Sequence, residues 1–307
     1  MSLGIEAIGV YIPGGREDNL SRQEKFGLKG GFLGEKIGVF KKAFRDRYDD
    51  CSDLCVKAFN ALQLKTGVDK NEIEVIIVVT QNPDTRLPHA GALVHSKLNL
   101  LSTCASFDVS LGCSGFVYGL SVISSFMKDN GFKKGILFTS DPYSKIIDSE
   151  DRNTALLFGD GATATLISDN PVLVPGIFSF GTLGSKAGEI CLINGKLFMN
   201  GQAVVKFVKR YIPEDIRNNI AENGLSIDQI DRFILHQESK FIVDIITEDL
   251  GVDRSKVPFD IWEYGNTVSS SIPIILEKEM MIDENSIFLL SGFGVGLSWA
   301  SCVLKRT

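Results

Sequence analysis

Residues Ser106–Leu120 read SFDVSLGCSGFVYGL, and the rest of the chain is ordered around this stretch. Phe107 to Leu111 has the make-up of a short buried strand, and Phe116 to Met127 carries apolar residues at helical spacing. Cys113 therefore falls where strand turns into helix, between Gly112 and Gly115. A thiol at a helix N-terminus faces unpaired backbone N–H groups and the positive end of the dipole. Both stabilise thiolate and lower the pKa. The small neighbours leave room for a substrate to approach. This layout suits a nucleophile. A buried structural cysteine is the competing reading, because free cysteine is among the most buried residue types.

A second copy of the pattern lies downstream. Asn71–Gln81 (NEIEVIIVVTQ) overlays Ile227–Gln237 (IDQIDRFILHQ), and Phe107–Cys113 overlays Phe259–Asn266 (FDIWEYGN). The first of these turns into the helix Phe116–Met127, the second into the helix Ser269–Met280. Gly135–Ser140 then matches Ser286–Ser291, and Ala162–Ile167 matches Ser298–Val303. Each half reads strand, helix, strand, helix, strand, strand. Continuous Val/Ile-rich runs predict strands covered on both faces by helices. The repeat unit is too long for a solenoid and predicts two similar α/β halves, residues 1–170 and 171–307, joined near Asp169-Asn-Pro171. In the overlay, Cys113 falls within a residue of Asn266, and His236 follows the strand equivalent to the one ending at Thr80. Matched strand ends of two similar halves converge on one pocket, which groups Cys113, His236 and Asn266.

The chemistry of that group is coherent. A thiolate attacks thioesters and leaves a covalent acyl intermediate. A histidine at a strand end serves as base, acid or hydrogen-bond donor. Histidine and asparagine donors aimed at one carbonyl oxygen stabilise an enolate. Taken singly, His236 would be a satisfied core histidine and Asn266 a turn residue. His89 and His95 look peripheral.

Composition narrows the class. The 307 residues are 44% hydrophobic and 23% charged, with net charge -6, which fits a compact protein and no nucleic-acid surface. Apolar runs such as Val75–Val79 are strand-length, far short of the roughly 20 residues of a membrane span. The opening residues lack a basic region followed by an apolar stretch, so no signal peptide is expected and the predicted location is cytoplasmic. Six cysteines are too sparse for a disulfide scaffold, and Cys51 and Cys55 lack the partners of a zinc site. Phe158-Gly-Asp-Gly-Ala162 and Gly292–Leu297 (GFGVGL) fit neither a dinucleotide fingerprint nor a P-loop. Close backbone approach at a pocket floor explains them better.

These segments, in this order, resemble β-ketoacyl-acyl-carrier-protein synthase III of the thiolase-like superfamily over nearly the whole chain. The motifs that carry the resemblance are the Cys113 turn, Asp151–Thr154 leading to Phe158–Gly161, Met199–Gln202, Leu235–Gln237, Tyr264–Thr267 and the Gly-rich C-terminal strand. The resemblance implies a five-layered αβαβα fold, a homodimer, and no cofactor beyond a CoA thioester as substrate. It implies that Cys113 takes an acyl group from acyl-CoA. His236 and Asn266 then hold the thioester carbonyl of malonyl-acyl carrier protein for decarboxylation, and the carbanion attacks the acyl-enzyme. The backbone N–H groups of Cys113 and Val295 form the second oxyanion hole. Phe32 and Arg152 sit where the family binds CoA. Leu87 and Phe116 are assigned to the acyl pocket, Leu87 reaching across the dimer.

Departures from the family pattern accompany these assignments. Phe32 stands in place of a tryptophan, His236-Gln-Glu-Ser239 in place of His-Gln-Ala-Asn, and Phe241 in place of a carrier-docking arginine. Lys206, Lys209 and Arg210, at i, i+3 and i+4, offer an alternative basic patch for an acidic carrier or an ordinary solvated face. Thiolases have a second cysteine in the C-terminal Gly-rich motif, and none stands in Gly292–Leu297. Gln81 occupies the position of the glutamate base of hydroxymethylglutaryl-CoA synthases. An acyltransferase acting on a hydroxyl or amine is the alternative reading, and a non-catalytic partner subunit is a third.

Overall fold

The computed structural model describes residues 3–280 and 286–307. The first half of the chain contains β1 (Gly4–Tyr11), β2 (Gly15–Asp18), α1 (Leu20–Gln23), β3 (Lys41–Phe44), α2 (Cys51–Thr66), β4 (Val75–Val79), α3 (Ala90–Leu98), β5 (Ala105–Val109), α4 (Gly115–Asn130), β6 (Lys134–Ser140) and β7 (Ala162–Ser168). The second contains β8 (Leu173–Thr182), β9 (Ile190–Ile193), β10 (Lys196–Met199), α5 (Gly201–Glu222), β11 (Arg232–Leu235), α6 (Lys240–Leu250), α7 (Ser271–Glu279), β12 (Ile287–Gly294) and β13 (Ser298–Arg306).

Nine strands run in the order β11-β12-β13-β8-β1-β7-β6-β4-β5. The halves meet where Ile5 of β1 pairs with Leu173 of β8. β4 is five consecutive buried β-branched residues, Val75–Val79, flanked by parallel β5 and β6. Such a run needs cover on both faces. α2 and α3 cover one face, and α4 the other. On the second half, α5 packs against β8, β12 and β13, with α6 beside it. α4 and α7 touch strands of both halves: α4 meets β4, β6, β12 and β13, and α7 meets β1, β7, β11 and β12. Their inward residues, including Phe116, Leu120, Ile272 and Leu276, form one shared apolar cluster. The layers are thus α2/α3, first-half strands, α4/α7, second-half strands and α5/α6.

Local chemistry sets the helix ends. Asp50 and Asp53 form a capping box at the start of α2, and Gly67 closes it at φ 68°. Gly131 closes α4 at φ 70°. Ser239 caps α6 by accepting from the Ile242 N–H.

The repeat is imperfect in one respect. Phe259–Ile261 forms no strand. Its continuation is tied instead to the first half of the chain. The Phe40 and Lys41 N–H groups donate to the Trp262 carbonyl, and the Ala43 N–H donates to that of Tyr264. Phe40 and Phe259 both pack on the Trp262 ring. β5, expected to be buried, is only half-buried, because it is the outermost strand of the sheet.

Candidate active site

Both central helices begin at one floor. Cys113 lies two residues before α4, and Asn266 five residues before α7. The end of β12 runs across this floor. A Cβ on Gly294 would lie 2.8 Å from Cys113 Sγ, and one on Gly292 would lie 2.9 Å from the Cys113 carbonyl oxygen. Only glycine lets the strand approach this closely. On the other side of Phe293, the ring of that residue meets the His236 ring edge-on at 5.6 Å. Gly112 faces Val268, whose N–H donates to Asn266 Oδ1 at 2.8 Å. The floor therefore gathers Cys113, His236 and Asn266 around Gly292–Gly294 and Val268.

Cys113 is 7% exposed. Burial pushes its thiol up to about 12, and the Asp141 carboxylate adds to the rise. Hydrogen bonds from the N–H groups of Val295 and of Cys113 itself offset only part of it. The sequence-based expectation of a depressed pKa is thus corrected for the resting site. The helix N-terminus acts on the sulfur, but loss of water outweighs it. The enclosed Asp141 accepts from Ser269 Oγ at 2.5 Å and from the Gln81 N–H at 2.7 Å, and burial raises it to about 6. Thiolate is the reactive form, and its fraction grows with pH up to the folded pKa. Alkylation of Cys113 by iodoacetamide should therefore be slow at pH 7 and keep rising above pH 9. A plateau below pH 8 would contradict this. Slow labelling at neutrality is what this burial dictates, so it does not argue for an inert subunit.

His236 is fully buried, and burial alone lowers its pKa to about 3. It is therefore a neutral imidazole at pH 7. Its Nδ1 lies 2.7 Å from Ser271 Oγ, while its Nε2 is buried without a partner. The Gln237 N–H also reaches Ser271 Oγ, at 3.4 Å. With the Ser271 hydroxyl donating to Nδ1, the imidazole proton lies on Nε2. Asn266 is equally buried. Its backbone is locked by bonds to Leu157 and Gly159, at 2.8 and 3.0 Å, and its Nδ2 is buried without a partner. Buried polar groups are nearly always paired, so two orphan nitrogens on one floor are arranged for something that arrives. Ser271 and Asp141 stand in no recognisable motif, and Phe293 lies in the GFGVGL stretch whose glycines, not its ring, carry the sequence signal; each acts through a fold contact with a residue far away along the chain.

Two cavities approach the floor. One, of 540 Å3, is lined by Phe32, Lys36, Arg152, Glu238, Ser239 and Phe241 among others. Arg152 sits 5.8 Å above the Phe32 ring, and Lys36 sits 4.3 Å above the Phe241 ring. A cation thus stands at the rim beside Phe241. The second cavity, of 260 Å3, includes Gln81, Tyr143 and Val295. Phe116 does not line it. Phe116 packs inside the central helix layer, and Leu87 is 88% exposed on the surface. Lys206, Lys209 and Arg210 are exposed on α5. Lys206 and Arg210 edge a separate surface cavity. Among the described residues no cluster of His, Cys, Asp or Glu has the make-up of a metal site. No described helix is long and apolar enough to cross a membrane.

Comparison with known proteins agrees with this architecture. Residues 107–181 match the family model for 3-oxoacyl-acyl-carrier-protein (ACP) synthase III, and residues 220–306 match its C-terminal model. The chain is 35% identical to beta-ketoacyl-acyl-carrier-protein synthase III of Streptococcus mutans and 32% identical to that of Natranaerobius thermophilus, each over 98% of both chains. The crystal structure of the Thermus thermophilus synthase III superposes with a TM-score of 0.92 at 29% identity, covering 99% of each chain. The fold is accordingly thiolase-like, and the chain belongs to the 3-oxoacyl-acyl-carrier-protein synthase III family.

Proposed function

We propose that this chain is a β-ketoacyl-acyl-carrier-protein synthase III-type condensing enzyme working through Cys113, His236 and Asn266. The observation that carries the reading is the pair of buried, unpartnered nitrogens, His236 Nε2 and Asn266 Nδ2, on the floor that holds Cys113. Cys113 Sγ attacks the thioester carbonyl of acyl-CoA, and the thiol proton leaves with the CoA sulfur. During that step the N–H groups of Cys113 and Val295 hold the developing oxyanion. Malonyl-acyl carrier protein then places its thioester oxygen against His236 Nε2–H and Asn266 Nδ2–H. Loss of CO2 leaves an enolate that these two donors stabilise. Its carbon attacks the acyl-cysteine, a C–C bond forms, and Cys113 departs as thiolate. A neutral imidazole suits this role, because it donates a hydrogen bond without trapping the enolate as a strong acid would.

The 540 Å3 cavity is the proposed CoA and pantetheine passage, with Phe32 and Arg152 at its mouth. Lys206, Lys209 and Arg210 are the proposed contact for an acidic carrier. The halves 1–170 and 171–307 supply the nucleophile and the two donors respectively. The half-buried edge strand β5 and the exposed Leu87, Leu192 and Ile193 support a homodimer in which Leu87 reaches the partner's site. The cysteines are all free, which supports a cytoplasmic location.

The reading is tested in two steps. Incubation with acetyl-CoA should add one acyl mass at Cys113, absent in Cys113→Ala. Malonyl-acyl carrier protein should then release CO2 and yield a β-ketoacyl product. Acylation without CO2 release would turn the reading to an acyltransferase, and no acylation would end it.

A further inference from the structure

The 260 Å3 cavity beside Cys113 is not built like a slot for plain hydrocarbon. It adjoins the proposed nucleophile through Val295, whose N–H holds the sulfur and which forms one wall, and Tyr143 packs in the same cluster as Cys113. A Cβ on Gly112 would strike Gln81 Oε1 at 2.6 Å, so Gln81 abuts the nucleophile turn. An acyl chain bound through Cys113 has this space to enter. Apolar walls are present, including Ile190 and Leu197, but Gln81, Asn82, Ser110 and Tyr143 are also lining residues.

Asn82 is the telling one. It is 7% exposed, and its Nδ2 is buried without a partner. Its backbone is fixed, with its N–H donated to Thr80 Oγ1 at 3.0 Å and its carbonyl facing Lys145 Nζ at 3.4 Å. Gln81 is fixed too. Its N–H binds Asp141, and its Oε1 accepts from the Tyr143 hydroxyl at 3.3 Å. With that oxygen engaged, the amide of Gln81 has its N–H edge left to offer. Among the residues lining this cavity, Asn82 thus holds a buried N–H group with no protein acceptor, which is costly. The missing element is an acceptor oxygen. Asp141 lies directly behind Gln81, and the nearby Lys145 ammonium is already committed to Asp50 at 2.8 Å and to the Pro83 carbonyl at 2.9 Å, so a second carboxylate is disfavoured here. The cavity is smaller than the ~300–1,000 Å3 typical of sites for drug-sized ligands, which favours a short group.

Resting on the reading of Cys113 as the acyl carrier, we infer that the acyl group loaded there is short and bears a neutral oxygen, a hydroxyl or a keto group, bound by Asn82 and Gln81. Sites built to hydrogen-bond a substrate oxygen reject the analogue that lacks it far more strongly than apolar pockets reject a missing methylene.

The test compares four-carbon thioesters by intact-protein mass spectrometry: butyryl-, 3-hydroxybutyryl-, acetoacetyl- and succinyl-CoA. Acylation of Cys113 by the hydroxy or the keto donor should exceed that by butyryl-CoA about tenfold or more in kcat/KM. In Asn82→Ala and Asn82→Leu that ratio should fall toward one. Equal or faster acylation by butyryl-CoA, or by the carboxylated succinyl-CoA, overturns the inference while leaving the Cys113 reading intact. So does a ratio that survives both substitutions. The wild-type panel decides the matter even where a variant does not fold. If none of the four, nor acetyl-CoA, adds mass to Cys113, the condensing reading fails and this inference falls with it.

Discussion

His236→Ala is expected to lower CO2 release from malonyl-acyl carrier protein by about 10²–10³, the usual cost of removing one oxyanion donor. Acyl uptake at Cys113 should persist, because the proposed donors for that step are the backbone N–H groups of Cys113 and Val295, which already reach the sulfur. The two half-reactions should therefore separate in one variant: label on the cysteine, almost no CO2. Asn266→Ala should do the same through the other orphan nitrogen. It should also destabilise the fold somewhat, because Asn266 Oδ1 accepts the Val268 N–H and its loss leaves that buried donor unpaired. Radiometric CO2 capture beside intact-mass measurement, with a thermal melt for each variant, checks both. Unchanged CO2 release in His236→Ala, in folded protein, would remove the imidazole from the decarboxylation step.

Gly294→Ala should act on the other half-reaction. The added methyl carbon would sit 2.8 Å from Cys113 Sγ and 2.7 Å from its Cβ. Neither strand nor nucleophile turn can yield easily, since β12 is paired along its length with β13. The sulfur must be displaced from the Val295 N–H. Misplacement of a reacting atom by about 1 Å costs on the order of 10² in rate. Acylation by acetyl-CoA is thus expected to fall by about 10² or more, with a modest loss of stability of about 1–3 kcal/mol from overpacking. Stopped-flow or quenched mass measurements of acylation rate, normalised to folded protein, give the answer. A rate within threefold of the parent would mean that the β12 approach does not position the nucleophile.

Much of the architecture was legible because its causes are local. Val75–Val79 could only be a strand buried on both faces, and the Gly112–Gly115 turn could only join strand to helix. The overlay of the halves anticipated that Cys113 and Asn266 would head the two central helices. It failed at Phe259–Ile261, which forms no strand, while Trp262 and Tyr264 just beyond it bond to residues 40–43. No local pattern announces that pairing, because the partner lies more than 200 residues away. Phe116 shows the same limit. Helical periodicity put it on the buried face of α4, but whether that face met the acyl cavity or the central layer depended on how α4 packs.

Protonation was the least legible property. The residues around Cys113 in sequence argue for a stabilised thiolate, since they set only the dipole and the turn. The surroundings of the sulfur include Val295, Gly294 and Asp141, brought in at the ends of other strands. The neutral state of His236 likewise follows from its full burial. The sequence by itself determined most of the order and kind of elements and which side chains are candidates for the chemistry. Periodicity, glycine placement and functional-group chemistry are properties of short segments. Only the tertiary structure decided which buried nitrogens remain unpaired, how far burial shifts Cys113 and His236, and that Gln81 and Asn82 line a cavity whose wall includes Val295. Desolvation and hydrogen-bond satisfaction are sums over neighbours in space, and most of those neighbours are distant along the chain.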